Sequence, residues 1–197
     1  MNTEIEIKFL DIDRNVIQKK LTSIGAVRIH PEQQMRRKVY DYPDERLRKI
    51  GGWIRVRDEG DKITLSYKQL NDRSLHGTKE ITVSVNDFAD TCKLLETIGL
   101  TPKSYQETKR EKWLHGKSEI TIDTWPWIPP FIEIESSSED ELRTLVTKLG
   151  FNWTKGLHGS VETAYQKYFD VTEEEIDDWE SIVFVPVPDW LERKRLK

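Results

Sequence analysis

The sequence feature that most limits the fold of this chain is the alternation of charged and apolar residues along its strand-like segments. Successive side chains of a β-strand point to opposite faces of the sheet. In the segment 4–9, Ile5, Ile7 and Phe9 therefore share one face, and the charged residues between them share the other. The same sorting recurs in the segments 53–57, 63–68, 79–85, 108–113, 119–123 and 131–135. We therefore predict a sheet that is apolar on one face and charged on the other.

The charged face carries an unusual number of acids and bases. The carboxylates are Glu4, Glu6, Glu80, Asp123, Glu133 and Glu135, and the bases are Lys8, Arg55, Arg57, Lys68, Arg110 and Lys112. An open sheet with a solvated face would explain any one of these strands, but it explains the whole set poorly. If a sheet of about eight strands curls and closes, its charged face becomes the lining of a tunnel. We predict this closed form.

Three helical segments follow strands and complete the fold class. They begin near Asp13, near Asn86 or Asp87, and at Ser138, and they end at Gly25, Gly99 and Gly150. Glycine is a common helix terminator because it adopts the left-handed conformation easily. Each segment has one apolar stripe, which we expect to cover the apolar face of the sheet. The prediction is an α+β fold: a closed antiparallel β-barrel of about eight strands with a charged lumen and helices packed on the outside.

The composition of the 197-residue chain limits its class of function. Charged residues make up 34% of the chain, but the net charge is only −4, so we expect no nucleic acid partner. The single cysteine, Cys92, excludes an intrachain disulfide and a thiolate metal cluster. No segment resembles a signal peptide or the ~20 apolar residues of a membrane span, so we expect a cytoplasmic protein without a membrane partner.

We divide the chain at residue 170. Residues 1–170 contain the predicted tunnel. Residues 171–197 begin with an acidic segment, continue with an apolar run interrupted by Pro186 and Pro188, and end in basic residues. We interpret residues 171–197 as an extension without chemistry of its own.

The paired charges indicate the kind of ligand. Glu4 and Glu6 repel each other across two positions of one strand, and this repulsion is relieved by a hard divalent cation that takes oxygen ligands. Arg55 and Arg57 repel each other in the same way, and guanidinium groups match phosphate oxygens. A triphosphate with Mg²⁺ or Mn²⁺ satisfies both sets, so a small-molecule triphosphate is the expected partner.

The same residues resemble a known family. The opening Glu4-Ile5-Glu6-Ile7-Lys8 is similar to the ExExK signature of the CYTH domain, also called the triphosphate tunnel metalloenzyme family. Further segments resemble later strands of that family in the right order: Tyr40-Asp41, Arg55-Val56-Arg57, Ser66-Tyr67-Lys68, Lys79-Glu80, Arg110, Asp123 and Phe131 to Glu135. The ordered set is far more specific than ExExK alone, and it spans about residues 1–170.

The resemblance implies roles for individual residues. It implies Glu4, Glu6 and Glu135 as metal ligands for Mg²⁺ or Mn²⁺. It implies Lys8, Arg55, Arg57, Lys68 and Arg110 as ligands of phosphate oxygens. Glu80, Asp123 and Glu133 are the candidates for a second metal or for water activation, and strand parity does not choose among them. One position departs from the family: Thr108 stands where many members carry Lys two residues before the arginine, and the neighbouring Lys109 has the opposite parity.

Several readings of the function stay open. We favour a metal-dependent triphosphatase, because water needs only space at the terminal phosphorus. A class IV adenylate cyclase, making cyclic AMP from ATP, is the first alternative, and a sensor that binds without turnover is the second. The aromatic and proline-rich loop 125–130 is the nearest candidate for a base pocket, although packing explains it more simply. Both a monomer and a homodimer fit the sequence.

Overall fold

The computed structural model describes residues 1–197 apart from the side chain of Asn2. The strands are β1 (Asn2–Thr3), β2 (Glu6–Phe9), β3 (Val27–Asp41), β4 (Gly52–Asp58), β5 (Ile63–Leu70), β6 (Thr78–Val85), β7 (Thr101–His115), β8 (Ser118–Thr124), β9 (Phe131–Glu135) and β10 (Ser181–Ile182). The helices are α1 (Arg14–Ser23), α2 (Phe88–Thr97), α3 (Glu139–Lys148), α4 (Glu162–Tyr165), α5 (Glu173–Asp177) and α6 (Asp189–Glu192). Short 3-10 turns lie at Arg48–Ile50 and Trp153–Lys155.

The N-terminal segment closes the sheet. The strands pair in the order β1-β6-β5-β4-β3-β7-β8-β9-β2, and neighbours along this path are antiparallel. Asn2 of β1 lies opposite Glu80 of β6, while Glu6 of β2 lies opposite Glu135 of β9. Because β1 and β2 are the two halves of one segment, that segment joins both ends of the sheet. The predicted eight-stranded antiparallel fold with helices outside is confirmed.

The three predicted helices form where the sequence places them. Asp13, Asp87 and Ser138 cap them, each side chain accepting a hydrogen bond from a backbone N–H in the first turn. α1 and α3 bury their apolar residues in one cluster with the outward side chains of β2, β8 and β9. α2 packs with Tyr40 of β3 and Val56 of β4 in a second cluster. The apolar clusters therefore lie outside the barrel, which leaves the inner face to polar residues.

The alternation rule misses β3. This strand spans 15 residues, but Pro31 and the polar residues around it break the pattern of alternate apolar positions. Its pairing with β7 shifts register between Arg28 and His30 and again between His30 and Gln33. Such bulges place two residues opposite one and reverse the parity of the residues beyond them.

The outer face of β6 differs from the expectation that helices cover the whole apolar side. Ile81 and Val83 are 52% and 51% exposed. α2 packs over β4 and β7 instead. The exposed side chains show that helical cover of the barrel is incomplete.

Residues 171–197 pack against one end of the barrel. Ile176, Trp179, Ile182 and Leu191 are buried in a cluster that also contains Trp125 of the predicted aromatic loop. β10 pairs in parallel with β7. The segment is therefore part of the packed structure, and its separation from the tunnel domain at residue 170 stays a prediction. No helix in the described part of the chain is long and apolar enough to cross a membrane.

Candidate active site

The barrel encloses a cavity of about 970 Å³. All of the site residues predicted from strand parity line it: Glu4, Glu6, Lys8, Arg55, Arg57, Lys68, Glu80, Arg110, Asp123, Glu133 and Glu135. Lys112 lines it as well. The predicted convergence of these side chains on one interior space is therefore observed, while their individual roles stay predictions.

One side of the cavity, here called the acidic wall, consists of Glu4, Glu6, Glu80, Glu133 and Glu135 with Lys8 and Lys68 among them. Lys8 Nζ lies 2.7 Å from Glu6 Oε1 and 3.1 Å from Glu133 Oε2. Lys68 Nζ lies 3.0 Å from Glu4 Oε2 and 3.2 Å from Glu80 Oε2. Each lysine therefore bridges two carboxylates that come from different segments of the chain.

Two lysines do not neutralise five carboxylates. Burial raises the pKa of Glu4 to about 8, and its contact with Glu80 adds to that shift. The pKa of Glu80 is held well below its usual range: burial opposes this, but the contact with Glu4, Lys68 and Arg55 outweighs it. The pKa values of Glu4 and Glu80 thus shift in opposite directions, as expected for neighbouring carboxylates that repel each other when both are ionised.

Glu135 is the carboxylate with the least compensation. Among the residues that the structure describes, no base lies within ion-pair distance of it, and Glu6 lies directly opposite on β2. Burial and then the charges of Glu133 and Glu6 raise its pKa to about 7. The pKa of Glu133 itself is about 2, because Lys8 and Arg110 outweigh the effect of its burial.

The opposite side of the cavity, here called the basic wall, consists of Arg37, Arg55, Arg57 and Arg110. Arg57 donates to Glu59 at 2.6 and 2.9 Å. Arg110 donates to both oxygens of Asp123 at 2.6 and 2.7 Å. Arg55 reaches Glu80 at 3.3 Å, and burial followed by the charge of Arg57 lowers the pKa of Arg55 to about 10. All these guanidinium groups remain charged at neutral pH.

Three further residues line the cavity although strand parity does not predict them as site residues: Arg37, Glu59 and Glu119. Arg37 belongs to the strand that the alternation rule misses. One signal was available: Arg36 and Arg37 are adjacent, so in any strand one of them faces inward. Glu59 pairs with Arg57, and Glu119 pairs with Lys112, so both acids neutralise bases of the tunnel.

The structure accounts for the departure at Thr108. Thr108 is buried and its hydroxyl oxygen accepts a hydrogen bond from Arg37 at 3.0 Å. Lys109 points to the other face, where its ammonium lies 4.8 Å from the ring centre of Phe184. The strand does not bulge at this point, and the basic group beside Thr108 comes from the neighbouring strand.

The donor set of the acidic wall suits a hard divalent cation, although its carboxylates are engaged with lysines. Within the described residues, no three acidic, histidine or cysteine side chains already converge as a complete metal site. Glu4 and Glu6 contact Lys68 and Lys8, while Glu135 has no such partner in the described part of the chain. The raised pKa values of Glu4 and Glu135 indicate a deficit of positive charge at this place. A divalent cation bound through carboxylate oxygens would supply that charge.

Residues beyond β9 complete one end of the cavity. Ser160, Glu162 and Asp177 line it, and the backbone carbonyl oxygen of Gly159 accepts a hydrogen bond from Lys8 at 2.7 Å. Burial and then neighbouring acids raise the pKa of Glu162 to about 7. Burial and the charge of Glu173 raise the pKa of Asp177 to about 6, although the charge of Arg48 opposes this shift. Residues 171–197 therefore supply charged groups to the lining of the cavity, while their interpretation as an extension without chemistry of its own stays a prediction.

Fold and site together define a class: closed antiparallel barrels whose lumen carries facing sets of carboxylates and bases. Within that class, the chain belongs to the CYTH domain family, whose model matches residues 2–169. Members of this family are triphosphatases or cyclases that act on small triphosphates. The resemblance of the ordered motifs to this family is confirmed.

Solved structures share this fold at low sequence identity. A candidate adenylate cyclase from Vibrio parahaemolyticus is 15% identical, with a TM-score of 0.70 over 84% of this chain and 98% of the other. A protein from Pyrococcus horikoshii is 22% identical, with a TM-score of 0.62 over 83% and 99%. A candidate adenylyl cyclase from Hippeastrum, described as having a dominant triphosphatase activity, is 12% identical, with a TM-score of 0.54 over 88% and 94%. A search of curated proteins finds no match to this chain.

Proposed function

We propose that this protein is a divalent-metal-dependent hydrolase of inorganic or organic triphosphates. The observation that carries the proposal is the division of one enclosed cavity into an acidic wall and a basic wall. A polyphosphate needs bases for its oxygens, whereas carboxylates alone would repel it. Carboxylates and bases around the same space are expected where a metal ion and a polyanion bind together.

The basic wall would hold the phosphate chain. Arg55 and Arg57 face the cavity from one strand, and Arg110 faces it from another. Guanidinium groups bind phosphate oxygens with charge-assisted hydrogen bonds, and removal of such a group leaves an oxygen without its donor. Lys8 and Lys68 would reach the same chain from the acidic wall.

The acidic wall would hold the metal. A bound Mg²⁺ or Mn²⁺ would be held by Glu4, Glu6 and Glu135 and would neutralise charge on the phosphate oxygens.

Two roles remain, the positioning of Arg110 and the orientation of water, and the candidates are Asp123, Glu80 and Glu133. Asp123 already accepts hydrogen bonds from Arg110 and from Thr121 at 3.0 Å, so it fits a positioning role for Arg110. Glu80 and Glu133 both have a lowered pKa, and either carboxylate could orient water by accepting its hydrogen bond.

Cyclisation of ATP is the competing reaction, since two structural neighbours are described as candidate adenylate cyclases. It requires a pocket that holds adenine and aligns the ribose hydroxyl with the α-phosphorus. Trp125 and Ile128 of the aromatic loop are buried among the side chains of residues 161–191. That packing favours a structural role for the loop and supports hydrolysis as the main reaction.

A substrate screen tests the proposal. Phosphate release would be measured from inorganic triphosphate, thiamine triphosphate and ATP with Mg²⁺ and with Mn²⁺, beside a cyclic AMP assay. We expect metal-dependent phosphate release with little cyclic AMP. Cyclic AMP as the main product from ATP would establish the cyclase instead. Tight triphosphate binding without turnover under either metal would establish the sensor.

A further inference from the structure

Arg37 is a buried cation without a counter-ion among the described residues. Its residue is 7% exposed, and its Nε is a buried donor without a hydrogen-bond partner there. Within the same part of the chain, its side chain makes one hydrogen bond, to the hydroxyl of Thr108, and no carboxylate lies within ion-pair distance. Every other base of the two walls contacts a carboxylate. An unpaired charge in a protein interior costs several kcal/mol, on the order of the cost of breaking a buried ion pair.

The neighbours of Arg37 increase this excess of positive charge. Arg37 lies directly opposite Arg57 in the pairing of β3 with β4. Like charges directly opposite on adjacent strands destabilise a sheet. Arg55, two residues along β4 from Arg57, also has a buried Nε without a partner in the part of the chain that the structure describes. Arg37 and Arg55 thus present unsatisfied donors to the same cavity.

The guanidinium of Arg37 is held in place on its other sides. Its Cζ lies 4.7 Å from the ring centre of Trp125, and one terminal nitrogen donates to Thr108 at 3.0 Å. Stacking on an aromatic face leaves the planar edge of a guanidinium available for bidentate contact with an anion. Arg37 is therefore oriented for a ligand that enters the cavity.

We propose that Arg37 and Arg55 form an anion subsite that receives an unesterified terminal phosphoryl group. This proposal rests on the proposed function only in assuming that the ligand is a polyphosphate. A terminal phosphoryl group carries about 1.5 to 2 negative charges near neutral pH, whereas an internal one carries a single charge. Arg37 has no carboxylate partner among the described residues and Arg55 reaches Glu80 only at 3.3 Å, so this pair of arginines favours the more highly charged end.

Binding without turnover tests the subsite. Affinities for inorganic triphosphate and for cyclic trimetaphosphate, which lacks a terminal phosphoryl group, would be measured by calorimetry in EDTA. We expect the wild type to prefer the linear ligand and Arg37→Met to lose at least about tenfold in affinity for it, with little change for the cyclic one. Arg36→Met is the matched control: Arg36 is adjacent, is 53% exposed and pairs with Asp58 outside the tunnel. Unchanged affinity for inorganic triphosphate in Arg37→Met would overturn the proposal.

Thermal unfolding separates a binding role from a packing role. If Arg37 is an uncompensated charge, Arg37→Met should raise the melting temperature of the ligand-free protein while it weakens binding. A lower melting temperature with unchanged affinity would show that Arg37 only packs on Trp125, and the subsite would be refuted. Should Arg37→Met fail to fold, Arg37→Lys keeps the charge but loses the fork, and it should lose the preference for the linear ligand. Because these measurements need no catalysis, the subsite can stand even if hydrolysis is disproved.

Discussion

The acidic and basic walls of the tunnel both arise from the alternation of side chains along strands, but they carry opposite signs of charge. The N-terminal segment and β3 lie on opposite sides of the closed ring of strands, and each wall projects one sign of charge into the shared cavity. Most charges on both walls have partners, such as Lys8 with Glu6 or Arg110 with Asp123. Within the described residues, one charge on each wall has none: Glu135 and Arg37.

The difference between the walls lies in how each charge responds to its environment. A carboxylate can take up a proton when its charge is not compensated, and the pKa of Glu135 rises to about 7 for that reason. Arginine keeps its proton, because a guanidinium group is not deprotonated in proteins at ordinary pH. The charge of the acidic wall is therefore sensitive to pH and to metal, while the basic wall stays positively charged and able to bind an anion at all ordinary pH values.

The largest expected effect concerns the acidic wall. Glu4→Gln combined with Glu6→Gln removes charge with little change of volume, so the barrel should fold while Mg²⁺-dependent turnover falls by about 100-fold or more. Turnover would be measured by phosphate release against Mg²⁺ concentration. Asp61→Asn, in an exposed turn, serves as the control. Full activity in the double variant would exclude these two residues from the metal site.

The second effect concerns the basic wall and should appear mainly in the KM for triphosphate. Arg55→Ala removes a guanidinium whose Nε has no partner among the described residues, so we expect the KM for triphosphate to rise about 10- to 100-fold, with some loss of kcat. Arg57→Ala should have a smaller effect on KM, because Glu59 already engages that guanidinium. Steady-state kinetics at saturating metal would measure both. If these arginine variants lost affinity for the metal alone, the assignment of phosphate binding to the basic wall and metal binding to the acidic wall would be refuted.

The third effect is a pH dependence of the acidic wall alone. Protons compete with a metal for Glu4 and Glu135, whose pKa values are about 8 and about 7. The affinity for Mg²⁺ should therefore fall about tenfold or more as the pH drops from 8 to 6. Binding of inorganic triphosphate in EDTA should change much less over the same interval, apart from protonation of the ligand itself. Equal pH slopes for both ligands would contradict the assignment.

The smallest effect is on stability. Below pH 4.5 the carboxyl of Glu135 is protonated in both states, so it contributes nothing. As the pH rises towards 7, the unfolded chain loses this proton and the folded chain keeps it, so stability falls until the folded group ionises. Glu135→Gln removes this penalty and should stabilise the metal-free protein by about 1–3 kcal/mol at pH 8. Urea unfolding at pH 4 and pH 8 would measure it, and a gain that is equal at both pH values would refute the explanation.

Strand parity was sufficient to place most of the site. Glu133 and Glu135, or Arg55 and Arg57, share a face in any regular strand, and the apolar residues between them require the opposite face to be covered. Closure followed from the number of charges that would otherwise converge on one open face. These properties depend on local alternation, which the sequence displays directly.

The site residues that strand parity does not predict depend on contacts between segments that are distant in the sequence. The bulges of β3 conceal the inward direction of Arg37, because each bulge changes the parity of the residues beyond it. The contribution of Asp177 could not be inferred, since the acidic segment around it has no alternation and reaches the cavity only through the packing of Ile176 and Trp179. Pairing partners such as Lys8 with the carbonyl of Gly159 are likewise set by the tertiary fold.

The closure of the barrel by its N-terminal segment has a consequence for the order of folding. Contacts between residues far apart in sequence form slowly, because the entropy of closing the intervening loop must be overcome first. Lys8 donates a hydrogen bond to the carbonyl oxygen of Gly159, which lies 151 positions further along the chain. Glu6 of β2 lies opposite Glu135 of β9. During synthesis, β1 can pair as soon as β6 has been made, but β2 must wait for β9 before it can pair. The acidic wall is thus complete only after β9 has been made, and a metal ion held by Glu4, Glu6 and Glu135 would stabilise the protein only from that point on.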